Sequence, residues 1–576
     1  MSLVRKQTVG YKDIFEEAPS TIGAYLTGIP RNLLLKAATF FLGLARSNSK
    51  FRNHVDLLSM FFNQENNDFA NDLYSRLKDI EQDTGAELII INNHSSLRLF
   101  EYSFDHISEN RTQTDSEAEI NIFKAYLLFN QHLSDFDSIA GNSTKELTEL
   151  QFAALCLSQS YVYSDIENYN INEIFIAQLI KAIFLFEFLE SRSDTQYLLA
   201  NFLEHFGCET WKEYLKKILP MMISAINKKN EGSVELTVIE DEEYTRNCLL
   251  FEKLIVSEAQ IIEDTDFKKL RSAPFYKVND GVYQIIFDLF VVEKLFKGLY
   301  FQLNELNSSL PKSERVKDFR RIYTDDFSEK YILYSILQSI YSKRYKKYNG
   351  EDILRLGYNA EPDYYLRNGN SLFLFESKDI LVQAEVKVSY DYQQIEAAFK
   401  KKLYFDDSNG KVEKKAVLQL VFNIERVLKK SFNFDINYKS SSLKIYPIII
   451  LHERQYNLAG LNVIVNQWFQ KELLELKRRG VGVQGVKPVT IIDIDTFLLY
   501  QDYLKFNKVK LDNLLDLYFE HVQIKKKKKY LNYHHLEEAI NNSVIPFSIF
   551  LSNYLNGRGI YPTPKMLSEK GFSLFH

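Results

Sequence analysis

The sequence predicts a mixed α+β and α/β fold: a large helical N-terminal region, a central mixed β-sheet core flanked by helices, and a helical C-terminal region. Three observations predict it. Only 11 prolines and 21 glycines punctuate 576 residues, which favours long helices over a turn-rich all-β architecture. Through the first half, apolar residues recur every three or four positions. Between 311 and 495, runs of period two alternate with helical runs, as a sheet with helices on its faces requires. The expected divisions are a helical region at 1–260, a helical lead-in at 261–310, the sheet-bearing core at 311–495 and a helical region at 496–576.

Taken in order, helices are expected at 24–45, 54–62, 67–81, 118–133, 145–159, 172–191, 194–206 and 210–227, separated by Asn, Ser and Asp clusters. The stretch 86–92 reads as a short strand. The most hydrophobic segment, 173–190, is interrupted by Gln178, Lys181 and Glu187 and so reads as a buried helix, not a membrane span. No fixed-period repeat emerges. The acidic stretch 234–243 marks a boundary loop, 281–303 a helix and 312–320 an exposed, charged connection. Further on, 443–451 is an apolar strand for the sheet interior, 461–477 a helix and 489–494 another strand. Helices return from 496, with the five lysines at 525–529 read as a solvated loop.

At 45% hydrophobic and 26% charged residues, the composition is that of a globular protein with a sizeable core. Cys156, Cys208 and Cys248 are widely spaced and odd in number, which gives neither a zinc site nor a disulfide framework. No apolar signal-peptide core follows Met1-Ser2-Leu3-Val4-Arg5-Lys6, so a cytoplasmic protein without membrane association is expected. No Gly-x-x-x-x-Gly-Lys-Ser/Thr loop marks an NTP switch. The net charge of −5 is unevenly spread: between 311 and 454, 26 Lys and Arg face 20 Asp and Glu, so this segment is positive and the remainder negative. Lys400, Lys401, Lys402, Lys415 and Arg426 lie in this basic part, where cations can neutralise phosphates without reading bases.

Chemistry concentrates at Glu361-Pro362-Asp363 and Glu376-Ser377-Lys378. Leu372, Leu374, Glu376 and Lys378 fall at period two, so a strand would put carboxylate and ammonium on one face, roughly 7 Å apart. Asn368-Gly369-Asn370 supplies the reversal that brings Asp363 near Glu376. Two carboxylates and a lysine at the ends of paired strands can hold a hard divalent cation and activate a water beside it, the requirements of phosphodiester cleavage. A second Glu-x-Lys, Glu385-Val386-Lys387, lies in the adjoining run 380–388, which reads as a neighbouring strand. Glu376 and Lys378 are preferred because the turn pairs their strand directly with Asp363; the later pair stays open as the alternative.

The order Pro-Asp, spacer, Glu-x-Lys resembles the PD-(D/E)XK nuclease superfamily over about 312–454. A helix at 327–341, with Glu329, Leu333, Ile336 and Ile340 along one stripe, stands where that family carries a further acidic residue. A helix at 413–430 presents Lys415, Gln419, Phe422 and Arg426 on one face, with Gln419 where such families often carry glutamine and Phe422 read as core. The resemblance implies Mg2+ or Mn2+ held by Asp363, Glu376, Glu329 and the Ser377 backbone carbonyl. It further implies that Lys378 orients or deprotonates water and that Gln419 positions water or phosphate. It implies a metal-dependent endonuclease acting on nucleic acid, DNA favoured over RNA, of the kind found in bacterial anti-phage or restriction-type effectors. The long helical half would serve recognition, regulation, a protein partner or homo-oligomerisation. The competing expectations are a non-catalytic scaffold retaining the fold and a DNA-repair nuclease. His452-Glu453, at a strand end, is expected to be structural.

Overall fold

A computed structural model of the chain describes residues 6–47, 53–105, 110–141, 148–227, 233–257, 266–408, 410–506, 510–524 and 533–575. The lysine run at 525–529 lies outside them. The chain divides into two compact units that interleave along it, so they do not follow the expected linear divisions. One comprises Met1–Ser143, Ile166–Phe175 and Asn201–Leu299; the other comprises Thr144–Asp165, Ile176–Ala200 and Tyr300–His576. An apolar stripe says that a helix is buried, and says nothing of which core it fills.

The first unit is helical with two small sheets. Lys6–Thr8 pairs in parallel with Glu87–Ile89, inside the strand expected at 86–92. Buried Asn130 fixes this region by donating to the carbonyls of Val9 and Ile90 at 2.9 and 2.7 Å. The helix expected at 24–45 is two, Ile22–Leu26 and Arg31–Ser47, because Gly28 at φ 81 and Pro30 interrupt it. The expected loop at 234–243 and the start of the expected helix at 281–303 are strands instead. Glu235–Thr237, Val282–Ile285 and Phe275–Asn279 form an antiparallel sheet, Gly281 at φ 70 turns the hairpin, and helix begins only at Asp288. Short apolar runs fit strand and buried helix equally well, and pairing partners decide between them.

The second unit carries the sheet. A π-helix, Ile322–Leu333, continues into α1 (Tyr334–Ile340), followed by β1 (Lys346–Asn349), α2 (Gly350–Arg355), β2 (Tyr364–Asn368) and β3 (Ser371–Lys378). Then come α3 (Tyr392–Leu403), α4 (Ala416–Leu428), β4 (Lys444–Leu451), α5 (Leu461–Arg478), β5 (Thr490–Asp493) and α6 (Ile494–Lys505). Spatial order is β5-β4-β3-β2-β1. β1–β2 and β2–β3 are antiparallel pairs, whereas β3–β4 and β4–β5 are parallel. The register Asn368↔Ser371 makes Gly369-Asn370 a two-residue hairpin turn, with Gly369 at φ 58 as such turns demand. The run 380–388 is not the expected strand: only the short helical turn Ala384–Lys387 forms there.

Period two along β3 divides the core. Leu372 and Leu374 join Ile395, Phe399, Leu420, Ile424 and Trp468 from α3, α4 and α5 in one buried cluster. Phe373 stacks on Tyr446, and Phe375 meets Tyr364 and Phe497, on the other face. β4 is buried along Ile445–Leu451 and central in the sheet, because parallel strands covered on both faces are apolar throughout. Near the β2–β3 turn, Asp435 accepts from Arg367 Nε and Nη2 at 2.5 and 2.6 Å, Tyr365 Oη at 2.8 Å and Lys346 Nζ at 2.8 Å. The C-terminal helices after α6 are Leu511–Val522, Tyr533–Ser543, Phe547–Asn556 and Lys565–Phe575. Among the described residues, no helix is long and apolar enough to cross a membrane.

Candidate active site

The antiparallel register pairs Tyr364 with Phe375, so the residue before β2, Asp363, stands opposite Glu376 on the same sheet face. Asp363 Oδ2 accepts the Ser377 amide at 2.6 Å. Lys378 Nζ lies 3.2 Å from Glu376 Oε2 and 3.6 Å from Asp363 Oδ2, so a single ammonium is shared by both carboxylates. Glu376 is fully buried, and its Oε1 has no hydrogen-bond partner. The residues at the front of the expected site are therefore together.

Glu329 comes from the π-helix. Asp379, immediately after β3, holds that helix: it accepts Ser328 Oγ at 2.7 Å and Arg320 Nη2 at 2.9 Å. The next residue, Glu329, takes the Tyr334 hydroxyl at 2.8 Å. Burial and then the Asp363 charge push the Glu329 carboxyl up to about 8, against the Tyr334 hydrogen bond and Lys378. Burial and Asp363 also hold Glu376 well above the usual carboxylate range, against Lys378. For Lys378, burial opposes the charge, but Asp363, Glu376 and Glu329 outweigh it and raise its pKa. The expected α-helical stripe through Glu329 is corrected, since the helix is wound as π through Leu333; Leu333, Ile336 and Ile340 are buried as anticipated.

These shifts carry a sign. Below about pH 4.5 Glu329 binds a proton in both folded and unfolded chains; between there and about 8 the folded chain keeps a proton the unfolded chain has released. Stability is therefore expected to fall as pH rises through that window without divalent ions. Guanidinium unfolding at pH 5.5 and 7.5 checks this, and Glu329→Gln should flatten the slope.

Ser377 points to the opposite face, where its Oγ is hydrogen-bonded to His452 Nε2 at 2.7 Å. Both are buried, and burial pulls His452 down to about 4, so the imidazole is neutral. His452 supports the strand from behind, consistent with a structural role.

Gln419 lies on α4, and its Oε1 is buried without a partner. Arg426, on the same helical face at i+7, donates through Nη1 to the carbonyls of Asn359 and Ala360 at 2.9 and 3.3 Å. Ala360 has φ 53, a conformation unfavourable for a side chain, so Arg426 braces the strained loop leading to Asp363. Phe422 is not core: it is 37% exposed, beneath Lys414 and Arg426. Lys400 pairs with Glu396 at 3.0 Å and Lys415 pairs with Glu413, so their charges are partly answered within the chain. The surrounding protein and the like charges of Lys401, Arg320 and Lys415 lower the pKa of Lys402, which places four cations in one neighbourhood. In the alternative pair, Lys387 Nζ lies 3.1 Å from buried Asp165.

Sequence reasoning missed Tyr334, Arg320 and Asp379. Asp379 adjoins the Glu-x-Lys triplet, the one signal available; the other two are brought in by packing. Among the described residues, no three or more His, Cys, Asp or Glu side chains already stand in a metal-coordinating array. The donor chemistry nonetheless fits a hard divalent cation: all the groups are oxygens, mutually repelling, with Glu376 Oε1 unpartnered. No family model, curated protein or solved structure matches the chain.

Proposed function

We propose that the chain is a metal-dependent nuclease that hydrolyses phosphodiester bonds, with DNA the favoured substrate and Mg2+ or Mn2+ the cofactor. The observation that carries this reading is the convergence of Asp363 and Glu376 on the Lys378 ammonium at the end of a hairpin. Further support comes from the order of parts along the chain: a helix with Glu329, the hairpin, then α4 with Gln419, in the sequence order of the resemblance. The cations around Lys402 include Arg320, bonded to Asp379, the residue after Lys378, and would offer positive charge to a phosphate backbone.

When bound, Mg2+ would neutralise the scissile phosphate and lower the pKa of its bound water. Asp363 and Glu376 would hold it, Glu329 would add a third carboxylate and the Ser377 carbonyl a further oxygen. A cation on Asp363 and Glu376 must share them with the Lys378 ammonium or displace it. With the carboxylates free of metal, Asp363, Glu376 and Glu329 hold Lys378 protonated; in the reaction it would orient or deprotonate the attacking water and stabilise charge on the phosphoryl oxygens. Gln419, whose buried Oε1 has no partner, would position the water or the phosphate, as the resemblance implies.

The test is cleavage by purified protein of single- and double-stranded DNA and of RNA. Products are expected with Mg2+ or Mn2+ and none in chelator, with activity restored by excess metal. Cleavage that persists in chelator, or none on any substrate with either metal, refutes the reading.

A further inference from the structure

The π-helix has a consequence for Glu329. In an α-helix, residues i and i+5 lie about 140° apart around the axis and cannot meet. With bonds from i to i+5, the fifth residue sits about one turn above the first. The Tyr334 amide bonds the Glu329 carbonyl in this way, and the Tyr334 hydroxyl donates to Glu329 Oε1 at 2.8 Å. Tyr334 is itself buried and seated at Gly350, where an added Cβ would come within 2.9 Å of its hydroxyl. The Gly350 amide donates to the Asp363 carbonyl at 2.9 Å. A continuous path thus runs from Glu329 through Tyr334 and Gly350 to the backbone of Asp363.

We propose that Tyr334 is a positioning residue: its hydroxyl, carried into place by the π-helix and seated on Gly350, aims Glu329 at Asp363 and Lys378 as the third carboxylate for a divalent cation. The inference rests on the metal-dependent reading above. Partners of this kind, one step removed from the metal, typically change affinity 10- to 100-fold when lost.

The experiment is Mn2+ binding to the full chain by electron paramagnetic resonance, with no substrate present, for the wild type, Tyr334→Phe, Glu329→Gln and the double variant. Tyr334→Phe keeps the ring and its packing, and thermal melting of each variant monitors the fold. Tyr334→Phe is expected to weaken Mn2+ binding by about tenfold, and to add little once Glu329 is Gln, because the hydroxyl acts through that carboxylate. Gly350→Ala, which crowds the hydroxyl, should weaken binding in the same direction. If Tyr334→Phe leaves the affinity unchanged while Glu329→Gln lowers it, the positioning role is overturned and the metal site stands. An equal loss from Tyr334→Phe in both backgrounds also overturns it, since the effect then bypasses Glu329. Wild-type protein that binds no Mn2+ sinks both this proposal and the metal-dependent function.

Discussion

Lys378→Ala is expected to lower DNA cleavage by at least about 10²-fold, because a donor aimed at developing charge in a water-poor site is worth several kcal/mol to the transition state. Its effect on metal binding should run the other way. The ammonium lies 3.2 Å from Glu376 and 3.6 Å from Asp363, where it competes with any cation for the same oxygens. Removing it should leave Mn2+ affinity unchanged or higher. Asp363→Ala should lose cleavage by a similar factor and lose metal affinity as well, since it deletes a donor and also releases the Ser377 amide. Cleavage rates and Mn2+ titrations on the two variants separate these effects. Full cleavage by Lys378→Ala would remove this lysine from the chemistry, whatever the metal did.

The second large effect concerns stability. Asp435 is 1% exposed and answers the guanidinium of Arg367, itself 7% exposed, with two short hydrogen bonds, while also taking Tyr365 and Lys346. Asp435→Ala leaves a buried guanidinium without its counter-charge, a change that costs about 3–5 kcal/mol in comparable buried pairs. Denaturant unfolding should show this as a lower midpoint for the sheet-bearing unit. The contacts to Arg367, Lys346 and Tyr365 overcome burial and hold the Asp435 pKa below the usual range, so this contribution is present at neutral pH and fades as pH falls through the folded pKa. A loss under about 1 kcal/mol would place Asp435 among ordinary surface ion pairs. Because the network lies at the turn end of β2 and β3, the variant that survives folding should still bring Asp363 and Glu376 together.

The front of the candidate site was legible because it is local. A period of two puts Glu376 and Lys378 on one face of a strand, and Asn368-Gly369-Asn370 sets the register that brings Asp363 opposite. The buried strand Lys444–Leu451 was equally plain, since the seven consecutive apolar residues Ile445–Leu451 have one stable home. What the sequence could not separate were short apolar runs with two possible partners. The hairpin around Gly281 was taken for helix, and the stretch around Glu385 for strand. Nor did linear order reveal two interleaved units, because burial of a stripe does not name its partner.

By itself, then, the sequence determined the mixed fold class, the hairpin and the residues that share its face, all consequences of backbone geometry within a few residues. Tertiary structure decided the rest. It committed Lys387 to Asp165, made Arg426 a brace by tying it to Asn359 and Ala360, and put Tyr334 on Glu329 by winding a helix as π. The physical reason is common to all three. A charge withdrawn wholly or partly from water must find an opposite charge or a hydrogen bond, and which partner it finds depends on groups distant in sequence or on a helical winding that the 3.6-residue period does not disclose.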